Sequence, residues 1–144
     1  MTSGRSAGFP RRLAALLYDA FLLVALLVVF TSGAILLNHR TAVAPDTAGA
    51  WVYPYRAGLI LVVAGYYVLN WTRSGQTLGM RAWRLRAVTE AGAPLTLRAA
   101  ALRCVCGALA WLPAALGVLW LYVDPEHLAI HDRLSRTRVL HLKD

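Results

Sequence analysis

The chain has 144 residues, 58% of them hydrophobic, with a mean hydropathy of +0.53; soluble domains carry roughly 45–50% apolar residues, so an ordinary water-soluble domain is not the expectation. The net charge is +8 and every basic residue except Lys143 is arginine. These arginines stand between apolar runs, which fits the positive-inside rule of membrane proteins and argues against nucleic acid as a partner.

Residues 1–10 are polar and rich in Ser and Gly, and are expected to be a mobile cytoplasmic lead-in. Arg11-Arg12 then opens an apolar segment, residues 13–37, whose one charge is Asp19. Some 20 helical residues, at 1.5 Å each, cross the ~30 Å of a bilayer core. A carboxylate in such a helix costs ~2.5–3.5 kcal/mol, so Asp19 asks for a partner or a purpose. Arg12 lies seven residues earlier, within ~20° of the same azimuth and two turns away. Arginine leans toward the helix N-terminus, so Arg12 points away from Asp19 and toward the headgroups. Arg11-Arg12, the apolar run and Ala42-Val43-Ala44 also mimic a signal peptide. The run exceeds the ~7–15 residues of a signal core and contains Asp19, which speaks against cleavage.

Trp51, Tyr53 and Tyr55 crowd the far end of a loop over 38–53, the composition of an interfacial aromatic belt. The second apolar segment, residues 54–71, repeats Ala57-Gly58 as Ala64-Gly65, a small-residue stripe suited to close packing on the first helix. Tyr66 and Tyr67 fall near the depth expected of Asp19. They are either its hydrogen-bond partners or ordinary interfacial tyrosines.

Residues 72–98 carry Arg73, Arg81, Arg84, Arg86 and Arg98 against one acid, Glu90, and read as a cytoplasmic loop. Gly75-Gln76-Thr77-Leu78-Gly79 is turn-rich but lacks the Gly-Lys-Ser/Thr of a phosphate loop. A short strand is expected over 83–89, with a turn at Glu90-Ala91-Gly92-Ala93-Pro94. The third apolar segment, residues 99–123, contains Arg103 and is broken by Pro113. It is either a kinked span, which puts the tail outside, or a re-entrant hairpin, which returns it inside. The basic residues of the tail favour the hairpin. Cys104 and Cys106 point ~200° apart on a helix and serve as apolar filler. In the polar tail, residues 124–144, Thr137 to Leu142 has strand character and is expected to pair near Arg84 to Val88. His131 and Asp132 read as a hydrogen-bonded or ion-paired surface turn, not a metal site.

Three landmarks in order resemble the RDD family of bacterial membrane proteins: Arg12 with Asp19, Gly75-Gln76-Thr77-Leu78-Gly79-Met80-Arg81, and His131-Asp132-Arg133-Leu134-Ser135-Arg136-Thr137-Arg138-Val139. The resemblance covers nearly the whole chain and implies that Arg12, Asp19 and Asp132 are the arginine and two aspartates of the family name. It also implies a link to cation/proton antiport, described for some members.

The expected fold is an all-α membrane protein: a small transmembrane helix bundle with a short cytoplasmic strand and turn, forming one domain over residues 8–142. The site is the charged constellation of Arg12, Asp19 and Asp132, with Tyr66 and Tyr67 as candidate partners of Asp19. Arg12 is expected at the interface and better placed to pair with Asp132 than with Asp19. No catalytic set, cofactor or metal site is expected, and the protein is not read as an enzyme. Its partners are the lipid bilayer, further copies of itself in a homo-oligomer, and a proton or monovalent cation. The place expected is the bacterial cytoplasmic (inner) membrane, multi-pass, with a cytoplasmic N-terminus. Two functions remain open: a structural or accessory membrane component, or cation/proton antiporter-like transport through a homo-oligomer.

Overall fold

The computed structural model describes residues 5–38, 49–111 and 130–142, and the chain is mostly helical. It divides into two compact units, residues 1–19 with 67–144, and residues 20–66. Two long apolar helices run through both.

Helix α1 spans Phe9–Leu37. Pro10 sits in its first turn, where a missing N–H does no harm, and Leu, Ala and Val fill the rest. Helix α2 spans Val52–Arg73, entered through a 3₁₀ turn at Gly49–Trp51. It ends on Gly75, whose φ of +70° is the left-handed cap that glycine supplies at least cost; the Gly75 N–H donates to the Trp71 carbonyl at 3.0 Å. Both helices are long and apolar enough to cross a membrane. In the core helix of a soluble protein most of the apolar surface would be buried. Here 11% and 6% of the two apolar windows are, and Phe21 is 79% exposed.

Within residues 20–66 the helices meet through Phe30, Thr31, Tyr55 and Gly58. The Phe30 and Tyr55 rings stack at 6.1 Å, and the Thr31 and Tyr55 hydroxyls share a hydrogen bond of 3.0 Å. A Cβ on Gly58 would overlap the Phe30 ring, so this glycine admits an aromatic against the helix backbone. Gly65, expected on the same packing stripe, has open space around it. The stripe is therefore used at Gly58 and not at Gly65.

The other unit is built on a three-stranded antiparallel sheet in the order β1-β3-β2. Its strands are β1 (Arg5–Ser6), β2 (Leu85–Thr89) and β3 (Thr137–His141). Ser6 pairs with Leu140, and Ala87 with Val139. From Arg5 onward the lead-in is thus not the mobile segment its composition implied. Strand β1 takes the free edge of β3, and Ala7 follows it into the core at 1% exposure, its N–H donating to the Val139 carbonyl at 3.0 Å. Ala7, Ala15, Met80, Leu85, Ala87, Leu95, Ala100 and Val139 form that core.

Three short or amphipathic helices complete the unit: α3 (Leu78–Ala82), α4 (Leu97–Trp111) and α5 (Ile130–Leu134). Thr96 caps α4, accepting from the Ala99 N–H at 3.3 Å. Residues 112–129, with Pro113 and the kink or hairpin expected there, lie outside the described residues. The sheet nevertheless joins strands from before α1, after α2 and after the third apolar segment. All three therefore share one side of any bilayer that α1 and α2 cross.

Helices α3 and α5 each lead into a strand through the same turn. Arg84 (φ 53°) and Arg136 (φ 49°) both adopt the left-handed region, which is uncommon for a side chain of this size. Their N–H groups donate to Arg81 and Arg133 at 3.1 and 3.2 Å. The carbonyl of each then accepts across the sheet, Arg84 from Leu142 at 2.8 Å and Arg136 from Glu90 at 3.2 Å. The spacing of Arg81, Arg84 and Arg86 recurs in Arg133, Arg136 and Arg138. The two helix–turn–strand elements form a repeat related by a local two-fold through the Ala87–Val139 pair.

Candidate functional site

Helix α1 places Arg12, Ala15 and Asp19 on one face, three and four residues apart. All three are drawn into the sheet-bearing unit, Asp19 at 2% exposure. Its carboxylate docks on the start of α3. Oδ2 accepts from the Thr77 hydroxyl at 2.5 Å and Oδ1 from the Gly79 N–H at 2.8 Å. Thr77 caps α3, its oxygen accepting from the Met80 N–H at 3.1 Å, so one hydroxyl serves the helix end and the buried carboxylate together. A Cβ on Gly79 would stand 2.9 Å from the Asp19 carboxyl and overlap the Ala15 carbonyl.

The Gly75-Gln76-Thr77-Leu78-Gly79 segment thus has a physical reason at four positions. Gly75 supplies the positive φ and the close approach, with Ala87 O only 2.9 Å from where a Cβ would sit. Gln76 Nε2 donates to the Leu85 carbonyl at 2.8 Å. Thr77 caps and donates, and Gly79 lets α1 in.

Asp132 is fully buried, at 0% exposure. The expected surface turn is corrected here: helix α5 turns this carboxylate inward because two guanidinium groups await it. Arg12 Nη1 pairs with Oδ2, and Arg103 Nη1 pairs with Oδ1 at 2.5 Å. Arg12 is further fixed by its Nε, which donates to the Ala7 carbonyl at 2.9 Å. Arg103 also donates to Thr137 Oγ1 at 2.5 Å and lies 5.1 Å above the Trp71 ring, a cation–π placement. Ser135 and Thr137 share a hydrogen bond of 2.8 Å behind the pair. The knot of Arg12, Asp132 and Arg103 carries a net positive charge in a nearly dry setting, where arginine's planar fork suits it better than lysine.

The structure therefore brings Arg12 and Asp132 together and puts Asp19 on a different set of groups, those of α3. Tyr66 and Tyr67 are both half-buried. Tyr67 is within electrostatic reach of Asp19, and its ring lies 5.2 Å from that of Trp71. Sequence reasoning did not single out Arg103, Thr77, Ser135 or Thr137. The signal for Arg103 was available: a guanidinium in an otherwise apolar helix needs a buried carboxylate as much as Asp19 needs donors. Among the described residues no three His, Cys, Asp or Glu side chains gather as metal ligands, and Cys104 and Cys106 are free thiols.

Two long apolar helices with outward-facing side chains, joined to a small unit with buried carboxylates and guanidinium groups, define a membrane protein of mainly helical build. The RDD family model matches residues 6–136, and the chain belongs to the RDD family. No curated protein and no solved structure matches it.

Proposed function

We propose that this is a structural or accessory component of the cytoplasmic membrane, in which the Arg12–Asp132–Arg103 knot and the Asp19–α3 contact lock the helices to the sheet. The observation that carries the reading is Asp132, fully buried between two arginines. Removing one member of such a set leaves the others charged and dry, at a cost of about 3–5 kcal/mol. The exposed arginines of the loop, Arg73, Arg81 and Arg84, support a cytoplasmic placement of this unit, with the N-terminus on the same side and α1 and α2 as two crossings. This reading is of a non-catalytic role, in which the charged groups of the knot are engaged with one another.

A second reading is proton- or monovalent-cation-linked transport through a homo-oligomer. It is favoured by the position of Asp19, a buried carboxyl in an apolar helix beside the Thr77 hydroxyl. Such oxygens suit a proton or a hard cation. Two described spans are too few for alternating access by one copy, so this reading needs several. Purified protein in liposomes, tested with sodium, potassium and pH gradients, separates the two. The structural reading expects no gradient-driven flux above empty liposomes; flux abolished by Asp19→Asn in a folded protein would replace it with transport.

A further inference from the structure

An open cavity of about 450 Å³ lies in the sheet-bearing unit, apart from Arg12 and Asp19. Thr89, Glu90, Arg98, Leu102, Ser135 and Arg136 are among the residues that line it. Arg98 and Arg136 are exposed cations of this lining, one from the first turn of α4 and one from the turn before β3. The backbones of Glu90 and Arg136 are tied, the Glu90 N–H donating to the Arg136 carbonyl at 3.2 Å. The lining thus includes two guanidinium groups and one carboxylate.

Helix α4 extends this pattern. Arg98, Leu102, Val105 and Leu109 follow each other at four, three and four residues, one face of a helix. The three apolar members are exposed, Val105 and Leu109 each at 58%. From Arg98 to Leu109 the stripe runs about 16 Å, charged at the cavity end and apolar beyond it.

We propose that this cavity holds the headgroup of an aminophospholipid, with its phosphate on Arg98 and Arg136, its ammonium on Glu90, and an acyl chain along Leu102, Val105 and Leu109. Charge complementarity selects the ligand. A phosphodiester matches paired guanidinium groups. A headgroup without an amine leaves Glu90 unanswered beside the phosphate, and free phosphate leaves the apolar stripe uncovered. The bilayer in which the protein resides supplies the amphiphile. The cavity adjoins the knot, because Ser135 of its lining bonds to the Thr137 hydroxyl that Arg103 also holds. The inference rests on the protein being in a membrane, and it stands under either functional reading.

The test uses the full-length protein, delipidated in a mild detergent, with lipid retention read by native mass spectrometry and thermal unfolding followed in parallel. Dioleoyl phosphatidylethanolamine, dioleoyl phosphatidylglycerol and inorganic phosphate are the probes. The phosphatidylethanolamine is expected to be retained one per chain and to raise the unfolding midpoint, above any effect of the other two. Arg98→Gln with Arg136→Asn (asparagine tolerates the left-handed turn) should weaken its retention about tenfold or more, by loss of charged hydrogen bonds. Glu90→Gln should reverse the preference toward phosphatidylglycerol, and Leu102→Ser with Leu109→Ser should weaken both lipids. Arg81→Gln, an exposed arginine outside the cavity, should change nothing. Equal retention of the two lipids by the native protein, a phosphate effect as large as that of lipid, or retention unaltered in the folded arginine variant would overturn the proposal.

Discussion

Gly79 and Asp19 are in contact through the backbone of one and the side chain of the other. The Gly79 N–H donates to the Asp19 carboxylate at 2.8 Å, and the missing Cβ is what allows the Ala15 carbonyl of the same helix to lie against it. A glycine and an aspartate 60 residues apart in sequence are thus two halves of one joint between α1 and α3.

Gly79→Ala should therefore be costly. The methyl group meets backbone, which cannot swing aside, so a loss of about 2 kcal/mol or more is expected. Gly107→Ala, in a helix with nothing within 4 Å, should be neutral or stabilising by about 0.5–1 kcal/mol. Thermal or denaturant midpoints of the two variants in the same detergent check this, and similar values for both would refute the joint.

Arg84 makes a second, opposite case. Its φ of 53° disfavours any residue with a Cβ, by roughly 1–2 kcal/mol. Arg84→Gly should be more stable than Arg84→Ala by about that amount, because both lose the same side chain and one also loses the strain. A ranking with alanine above glycine would show that the turn is not held in this conformation.

Topology gives a third prediction. Strand β3 pairs with β1 and β2, so the proposed two-crossing arrangement puts the tail and the start of the chain on one side of the membrane. A cysteine placed at Asp144, in a background with Cys104 and Cys106 replaced by serine, should resist an impermeant thiol reagent in intact cells and react after permeabilisation. A cysteine at Ser3 should behave alike. Labelling of one and not the other in intact cells would contradict the shared side, and labelling of both from outside would contradict its cytoplasmic placement.

The sequence made some of this legible and hid the rest for identifiable reasons. The two long apolar helices follow from hydropathy, since a run such as residues 13–37 can be little else. Pairing of the tail with the loop followed from strand character at Thr137 and at Arg84. The lean of an arginine side chain toward its helix N-terminus directed Arg12 to Asp132. What did not show was the donor set of Asp19. Tyrosine depth pointed to Tyr66 and Tyr67, whereas Thr77 and Gly79 donate as a helix cap and a backbone amide, and neither announces its target in the sequence. The burial of Asp132 was missed because a His-Asp-Arg string looks solvated until Arg103 supplies the second cation. Strand β1 escaped because two residues carry no periodicity; only the free edge of β3 makes them a strand. The repeat of α3–β2 in α5–β3 was visible in the arginine spacing, yet its apolar and polar positions differ enough to mask it.

The central claim is that Arg12 and Asp132 form the clamp, and that Asp19 belongs to α3. A double-mutant cycle tests it most directly, with Arg12→Gln and Asp132→Asn in one square and Arg12→Gln and Asp19→Asn in the other, all read by unfolding midpoints in one detergent. Coupling of order 1 kcal/mol or more is expected for Arg12 with Asp132, and clearly less for Arg12 with Asp19. A larger coupling between Arg12 and Asp19 would contradict the account and return the clamp to helix α1 alone.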